Sequence, residues 1–292
     1  MTIDIYRAIV MDSLRGSASF QGNWAAHRPA IMAATGNLTN PINILGLGSQ
    51  LSAFFALRRI PNNRNNAAVS QAGRAWEDLV ITYLNIVFSG TNAIAMRTTK
   101  AHCPQVFRDA TSIWYGNAKT NTEADVCVAI FPRDFQFPVA RRGFINRLNG
   151  SIGPAIHRIR FGIVQCKTNW NDNAQIPMLW DMVYRANHHQ GQGVVIGTNG
   201  YNIGNFLGNG ISYSFVTVPT QNTPILPNSM PVNRVAALSG GNFWGRPNIP
   251  NVAQSISEIF NRNFRDAFAP HSVVASITQA INNGHLAWVH AL

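Results

Sequence analysis

Between Ser70 and Val87 the apolar residues Trp76, Leu79, Val80, Tyr83, Leu84 and Val87 recur at steps of three and four. That spacing is the buried stripe of an amphipathic α-helix. Beyond it the pattern changes to short runs rich in branched and aromatic residues at Ala93–Thr99, Ala124–Phe131 (ADVCVAIF) and Arg160–Lys167 (RFGIVQCK), which read as strands. A helix is predicted from Asp172 or Asn173 to about Asn187, with Pro177 near its first turn, where proline is tolerated. Strands come next at 193–198 (GVVIGT) and 211–218 (ISYSFVTV). Helix, three strands, helix, two strands is an α/β order, and it predicts a mixed β-sheet of about five strands flanked by helices.

The flanks complete a single domain over 1–292. Residues 1–66 read as a helical N-terminal region closed by the turn-rich PNNRNN, 70–218 as the core, and 219–292 as loops and C-terminal helices. The stretch 219–251 is rich in Pro, Asn and Gly and reads as extended loops. An amphipathic helix over 252–268 should turn Ile256, Ile259, Phe260, Phe264 and Phe268 inward, with another helix over 272–282.

Apolar residues are 46% of the chain and charged ones 12%, which allows a large core and argues against disorder. Three cysteines without a CxxC pair supply neither a disulfide framework nor a zinc site. The N-terminus lacks the basic-then-apolar order of a signal peptide, and no uninterrupted apolar run is long enough for a membrane span. Neither GLGSQL at 46–51 nor GQGVVIG at 191–197 has the spacing of a dinucleotide fingerprint, and no phosphate-loop GKS or GKT occurs. The expectation is a soluble protein of a reducing compartment with no nucleotide cofactor. Against this plain background the charge stands out: 23 basic residues oppose 12 acidic ones, giving +11. All the basic residues are arginine except Lys100, Lys119 and Lys167. Arginine's planar fork suits phosphates and guanine edges, so the balance points to a nucleic-acid partner.

With only twelve acids, each can be weighed by position. Glu77 projects beside Val80, Ile81 and Leu84 toward the buried stripe, while Asp78 is expected to point away; a carboxylate aimed at a core needs a cation, and Arg74 one turn back is a candidate. Asp125 opens its strand, and Glu123 shares its parity. In RFGIVQCK alternation puts Phe161, Ile163, Gln165 and Lys167 on one face, and Cys166 on the other as a small core residue. His188–His189 follows a predicted helix and suits its C-terminal carbonyls better than a zinc ion.

An acid on a helix, an acid at the start of a strand, and an oxygen donor two residues before a lysine at the end of the next strand form a constellation. Over roughly 70–200 it resembles the PD-(D/E)xK nuclease superfamily, and within it the type II restriction endonucleases. Gln165 stands where that family usually has an acid. The resemblance implies a restriction-endonuclease-like core in a cytoplasmic, prokaryotic protein that cuts double-stranded DNA with Mg²⁺. Asp125, Gln165 and Glu77 would hold the metal, and Lys167 would serve the attacking water. It also implies a homodimer, since two symmetric cuts call for two sites. DNA contacts are expected from the arginine-rich stretch 133–159, with Arg141, Arg142 and Arg147, and from the polar loop 233–248, with Arg234, Asn242 and Arg246. The rival readings are a non-catalytic nucleic-acid-binding or packaging protein, and a repair or recombination nuclease of the same superfamily.

Overall fold

Capping side chains set where the N-terminal helices begin. Helix α1 (Ile3–Arg15) is followed by α2 (Ala18–Thr35), whose N-cap Ser17 accepts from Phe20 N, and by α3 (Pro41–Ala56), whose N-cap Asn40 accepts from Ile42 N and Asn43 N. Proline at the first position of α3 costs nothing, because that N–H has no helical partner. The long helix α4 (Asn66–Val87) comes next. The computed structural model describes residues 3–58, 66–120, 125–168, 194–208, 210–218, 226–238, 243–244 and 256–292. The predicted helix over 172–187, His188–His189, Glu123, Asn242 and Arg246 lie outside the described residues.

Strand β1 (Ala93–Arg97), helix α5 (Gln105–Ala110), strands β2 (Ile113–Tyr115), β3 (Ala118–Thr120) and β4 (Val126–Ile130), helix α6 (Phe144–Ala155) and strand β5 (Arg160–Lys167) succeed α4. After them come β6 (Val194–Ile196), β7 (Ser212–Thr217), helix α7 (Met230–Leu238), β8 (Phe243–Trp244), helix α8 (Ile259–Arg262) and helix α9 (Val273–Asn282). The main sheet has the order β1-β4-β5-β7-β8. Its first three strands are antiparallel neighbours, whereas β5, β7 and β8 run parallel.

The sheet separates two apolar cores. Val126, Val128, Val164, Cys166 and Val216 face the first, with α2, α3, α4 and the aromatic residues of 256–268. Cys127, Ala129, Phe161, Ile163, Tyr213 and Phe215 face the second, with residues of α1, α5, α6 and α7. Coverage on both faces explains why these strands read as continuous apolar runs rather than as apolar–polar alternation. No described helix is long and apolar enough to cross a membrane.

Several expectations change in detail. GVVIGT supplies β6, but β6 pairs antiparallel with β2 in a separate three-stranded sheet, β3-β2-β6, whose other strands are too short to announce themselves. The helix expected over 252–268 is broken into two 3₁₀ turns around the four-residue α8, although all five apolar residues predicted inside are buried. The loop region 219–251 contains helix α7 and the short edge strand β8. Within 133–159, residues 144–155 form α6, which buries Phe144, Leu148 and Ile152 in the second core. That segment leaves the end of β4 and enters the start of β5, so both its ends lie at the opposite end of the sheet from Asp125 and Lys167.

The glycines of GLGSQL sit inside α3 for a packing reason. A Cβ on Gly48 would stand 2.6 Å from the Tyr83 hydroxyl, 2.6 Å from Ile256 Cγ2 and 2.8 Å from Ser257 N, whereas one on Gly46 would meet nothing within 4 Å. We therefore expect opposite signs from the two alanine substitutions in chemical denaturation. Gly46→Ala should stabilise by roughly 0.5–1 kcal/mol through helix propensity, and Gly48→Ala should destabilise by about 1–3 kcal/mol through overpacking. Equal effects would mean that α3 does not pack against 256–257 in this way.

Candidate active site

The antiparallel register of β4 and β5 pairs Val126 with Val164. One residue further along, it places Asp125 opposite Gln165 at the sheet's end. The Gln165 carboxamide donates to Asp125 Oδ2 at 2.5 Å, and Cys166 N donates to the same oxygen at 2.9 Å. Gln165 is fully buried, and its Oε1 has no hydrogen-bond partner. A buried amide oxygen left without a donor costs free energy on the order of 1–3 kcal/mol, which makes it a ready acceptor for a ligand or a cation. Lys167, half-buried, ends the same strand face two residues on. Cys166 is buried in the first core, as its parity requires.

Glu77 reaches this edge from α4, its side chain 18% exposed. Burial first, and the negative charge of Asp125 second, push its carboxyl from the 4.5 of a free glutamate up to about 7, against the opposing pull of Arg97 and Lys167. The constellation of Glu77, Asp125, Gln165 and Lys167 read from the sequence is thus a spatial cluster.

The phase of α4 needs correction. Asp78, expected to face away from the core, is only 3% exposed; it accepts from Ser19 Oγ at 2.5 Å and from Arg97 Nη2 at 2.7 Å. The reason lies outside the helix. α4 packs on the sheet on one side and on α2 and α3 on another, so its buried arc is wider than the stripe that its own periodicity marks. The basic partner of Glu77 is not Arg74, whose guanidinium donates to Ser70 Oγ, but Arg97 at 3.1 Å. Arg97 was not singled out by the sequence. Its signal was present, however: a cation ends β1 in register with Val126, one position from Asp125.

Two of the arginines expected on DNA are engaged within the chain. Arg141 pairs with Asp12, and Arg147 donates to the carbonyls of Ala140 and Arg142, closing the turn before α6. Arg142 is exposed, and Arg234 lies in α7.

Among the described residues no group of three or more His, Cys, Asp and Glu side chains is arranged to hold a metal ion. The donor set at this edge is two carboxylates and one carboxamide oxygen. Two observations make it fit a hard divalent cation: the unpartnered Gln165 oxygen, and a carboxylate pair whose repulsion Arg97 and Lys167 offset only in part.

Between pH 4.5 and about 7 the folded chain holds on Glu77 a proton that the unfolded chain has released, so this group's contribution to stability is full below that window and is lost as pH rises through it. Thermal melts of Glu77→Gln should therefore gain on the parent across that window, by at most roughly 3 kcal/mol. Added Mg²⁺ should raise the parent's melting temperature more at pH 8 than at pH 6. A pH-independent difference between the two proteins would show that Glu77 does not titrate in this range.

Comparison of the chain with protein-family models, with curated proteins and with solved structures found no match, so the functional reading rests on the site's own chemistry.

Proposed function

We propose that the chain is a Mg²⁺-dependent, sequence-specific double-stranded DNA endonuclease of the type II restriction kind, with Glu77, Asp125, Gln165 and Lys167 as its active site. The observation that carries this reading is the repelling pair Glu77 and Asp125 beside a buried, unpartnered Gln165 oxygen, with Lys167 next on the same face. The architecture supports it. Three antiparallel strands continue into parallel ones, and the cluster lies at the carboxyl end of β5, the end of parallel strands where α/β sheets bind ligands. The excess of arginine over acid supports a polyanionic substrate.

In this reading Asp125, Gln165 and Glu77 hold the cation. Bound there, Mg²⁺ would neutralise charge on the phosphate and ease deprotonation of a water. Lys167 orients the attacking water and balances negative charge on the phosphate oxygens. Arg97 keeps Glu77 turned toward Asp125 rather than toward solvent. A homodimer in a prokaryotic cytoplasm completes the proposal, because antiparallel strands cut symmetrically call for two sites related by a two-fold axis. A purely binding protein would have no use for two half-buried carboxylates set against each other.

Purified protein incubated with phage DNA should produce discrete bands only with Mg²⁺. Asp125→Ala and Lys167→Ala should lower the cleavage rate by several orders of magnitude while DNA binding persists. Smooth binding without cleavage by the parent protein would favour the packaging alternative.

Gln165→Glu separates a metal site from a structural one. It would set two carboxylates against each other where an amide now donates to Asp125. We expect this variant to melt below the parent in chelator and to recover in Mg²⁺, with cleavage retained, whereas Gln165→Ala should be badly impaired. A melting temperature of Gln165→Glu that ignores Mg²⁺ would leave the cation without a site.

Light scattering of Asp125→Ala on a cognate duplex should give two chains per duplex. One chain per duplex, with double-strand cleavage intact in the parent, would refute the dimer.

A further inference from the structure

The stretch from the end of β1 to α5 holds an unusual concentration of buried hydrogen-bonding atoms with nothing to bond. His102 is 4% exposed, and neither ring nitrogen has a partner. Its position is fixed by its own carbonyl, which accepts from the Tyr6 hydroxyl at 2.9 Å. Thr98, 2% exposed, has an unpartnered hydroxyl, and the Nε of Arg108 and of Arg97 are buried and unpartnered as well. Native proteins leave few such atoms, and here they fall within twelve residues of chain.

Each of these groups can donate. Threonine and the two guanidinium Nε–H groups do so directly, and a neutral imidazole does so from one nitrogen. Burial, reinforced by the charges of Arg97, Lys100 and Arg108, pushes the His102 imidazole down to about 4, so it is neutral at physiological pH. The surrounding charge is positive, which repels a cation and attracts an anion with several acceptor oxygens. Phosphate has that chemistry, and arginine is the side chain best matched to it.

We infer that Thr98, His102 and Arg108, beneath the exposed Lys100, form a binding site for a phosphate group. The site adjoins the surface in sequence, since Thr99, Lys100 and Ala101 are exposed and Arg108 is half-buried. It also adjoins the candidate active site: Thr98 N donates to the Asp125 carbonyl at 3.3 Å. A nucleic-acid strand whose reacting phosphate stood at Asp125 would carry a neighbouring phosphate past this turn. The inference deepens the nuclease reading by naming a backbone contact, yet it needs no metal and no hydrolysis.

The test is made in chelator with isotopically labelled protein, following the histidine ring nitrogens by NMR. Inorganic phosphate is titrated first and a short DNA duplex second. The His102 resonances should shift saturably, and Arg108→Gln, checked for an unchanged melt, should weaken the binding about tenfold, the factor of one charge-assisted hydrogen bond. Lys100→Gln, at an exposed position, provides a second variant expected to weaken it less. A response to the duplex alone identifies a strand phosphate as the ligand, and a response to inorganic phosphate as well extends it to small phosphorylated molecules. If neither probe moves His102, or if Arg108→Gln binds as the parent does, the site is overturned. Loss of the nuclease reading, through a parent that never cleaves, would leave this result standing.

Discussion

One buried guanidinium ties the helical half of this protein to its sheet. Arg97, at the end of β1, meets Asp78 at 2.7 Å, Glu77 at 3.1 Å and the Arg74 carbonyl at 3.3 Å, all on α4. Removing one partner from a buried pair of this kind typically costs about 3–5 kcal/mol, because the survivor is left charged and dry. Asp78 is the closer and more buried partner and is also held by Ser19 of α2. Glu77 gets the weaker share. Two neighbouring acids on one helix thus divide the work: Asp78 fastens α4 to the sheet, and Glu77 keeps a charge that is only partly neutralised.

That incomplete neutralisation makes the edge of the sheet chemically distinctive. Asp125 already accepts from the Gln165 amide and from Cys166 N. Glu77 then bears the cost of the neighbouring charge and takes up a proton more readily than a free glutamate. On the proposed reading, such a site would exchange a proton for a cation near neutrality. The orphaned Gln165 oxygen faces the same requirement in neutral form, since it lacks a donor rather than a countercharge. A positively charged turn behind Asp125, with its own unmatched donors, gives this end of the molecule a second demand, for an anion.

Much of the architecture was legible because its signals are local. RFGIVQCK is a strand from its first residue to its last, ADVCVAIF contains another, and Asp125 stands at the head of that strand. The features that failed to show were those set by partners distant in sequence. β2 and β3 are three residues each and exist because β6 completes their sheet. The arginines of 133–159 read as a DNA-tracking stretch on composition, but Phe144, Leu148 and Ile152 on α6 dictate where that segment lies. Asp78 was misplaced because a helix's periodicity reports its dominant apolar face and not the second face that α2 and α3 cover.

The sequence by itself determined the helix α4, the strands β1, β4, β5 and β7, the strand parity that puts Gln165 with Lys167 and Cys166 opposite, and the excess of positive charge. These come from periods of 3.6 and 2 and from side-chain chemistry, which need no knowledge of neighbours. Only the tertiary structure decided that Asp125 faces Gln165, that Arg97 lies between Glu77 and Asp78, and that the polar atoms of Thr98 and His102 are sealed without partners. Register between strands forty residues apart and the depth at which a side chain is buried are properties of the packed whole. Burial strengthens every electrostatic interaction it encloses, so the chemistry of the site exists only once the sheet and its helices have closed around it.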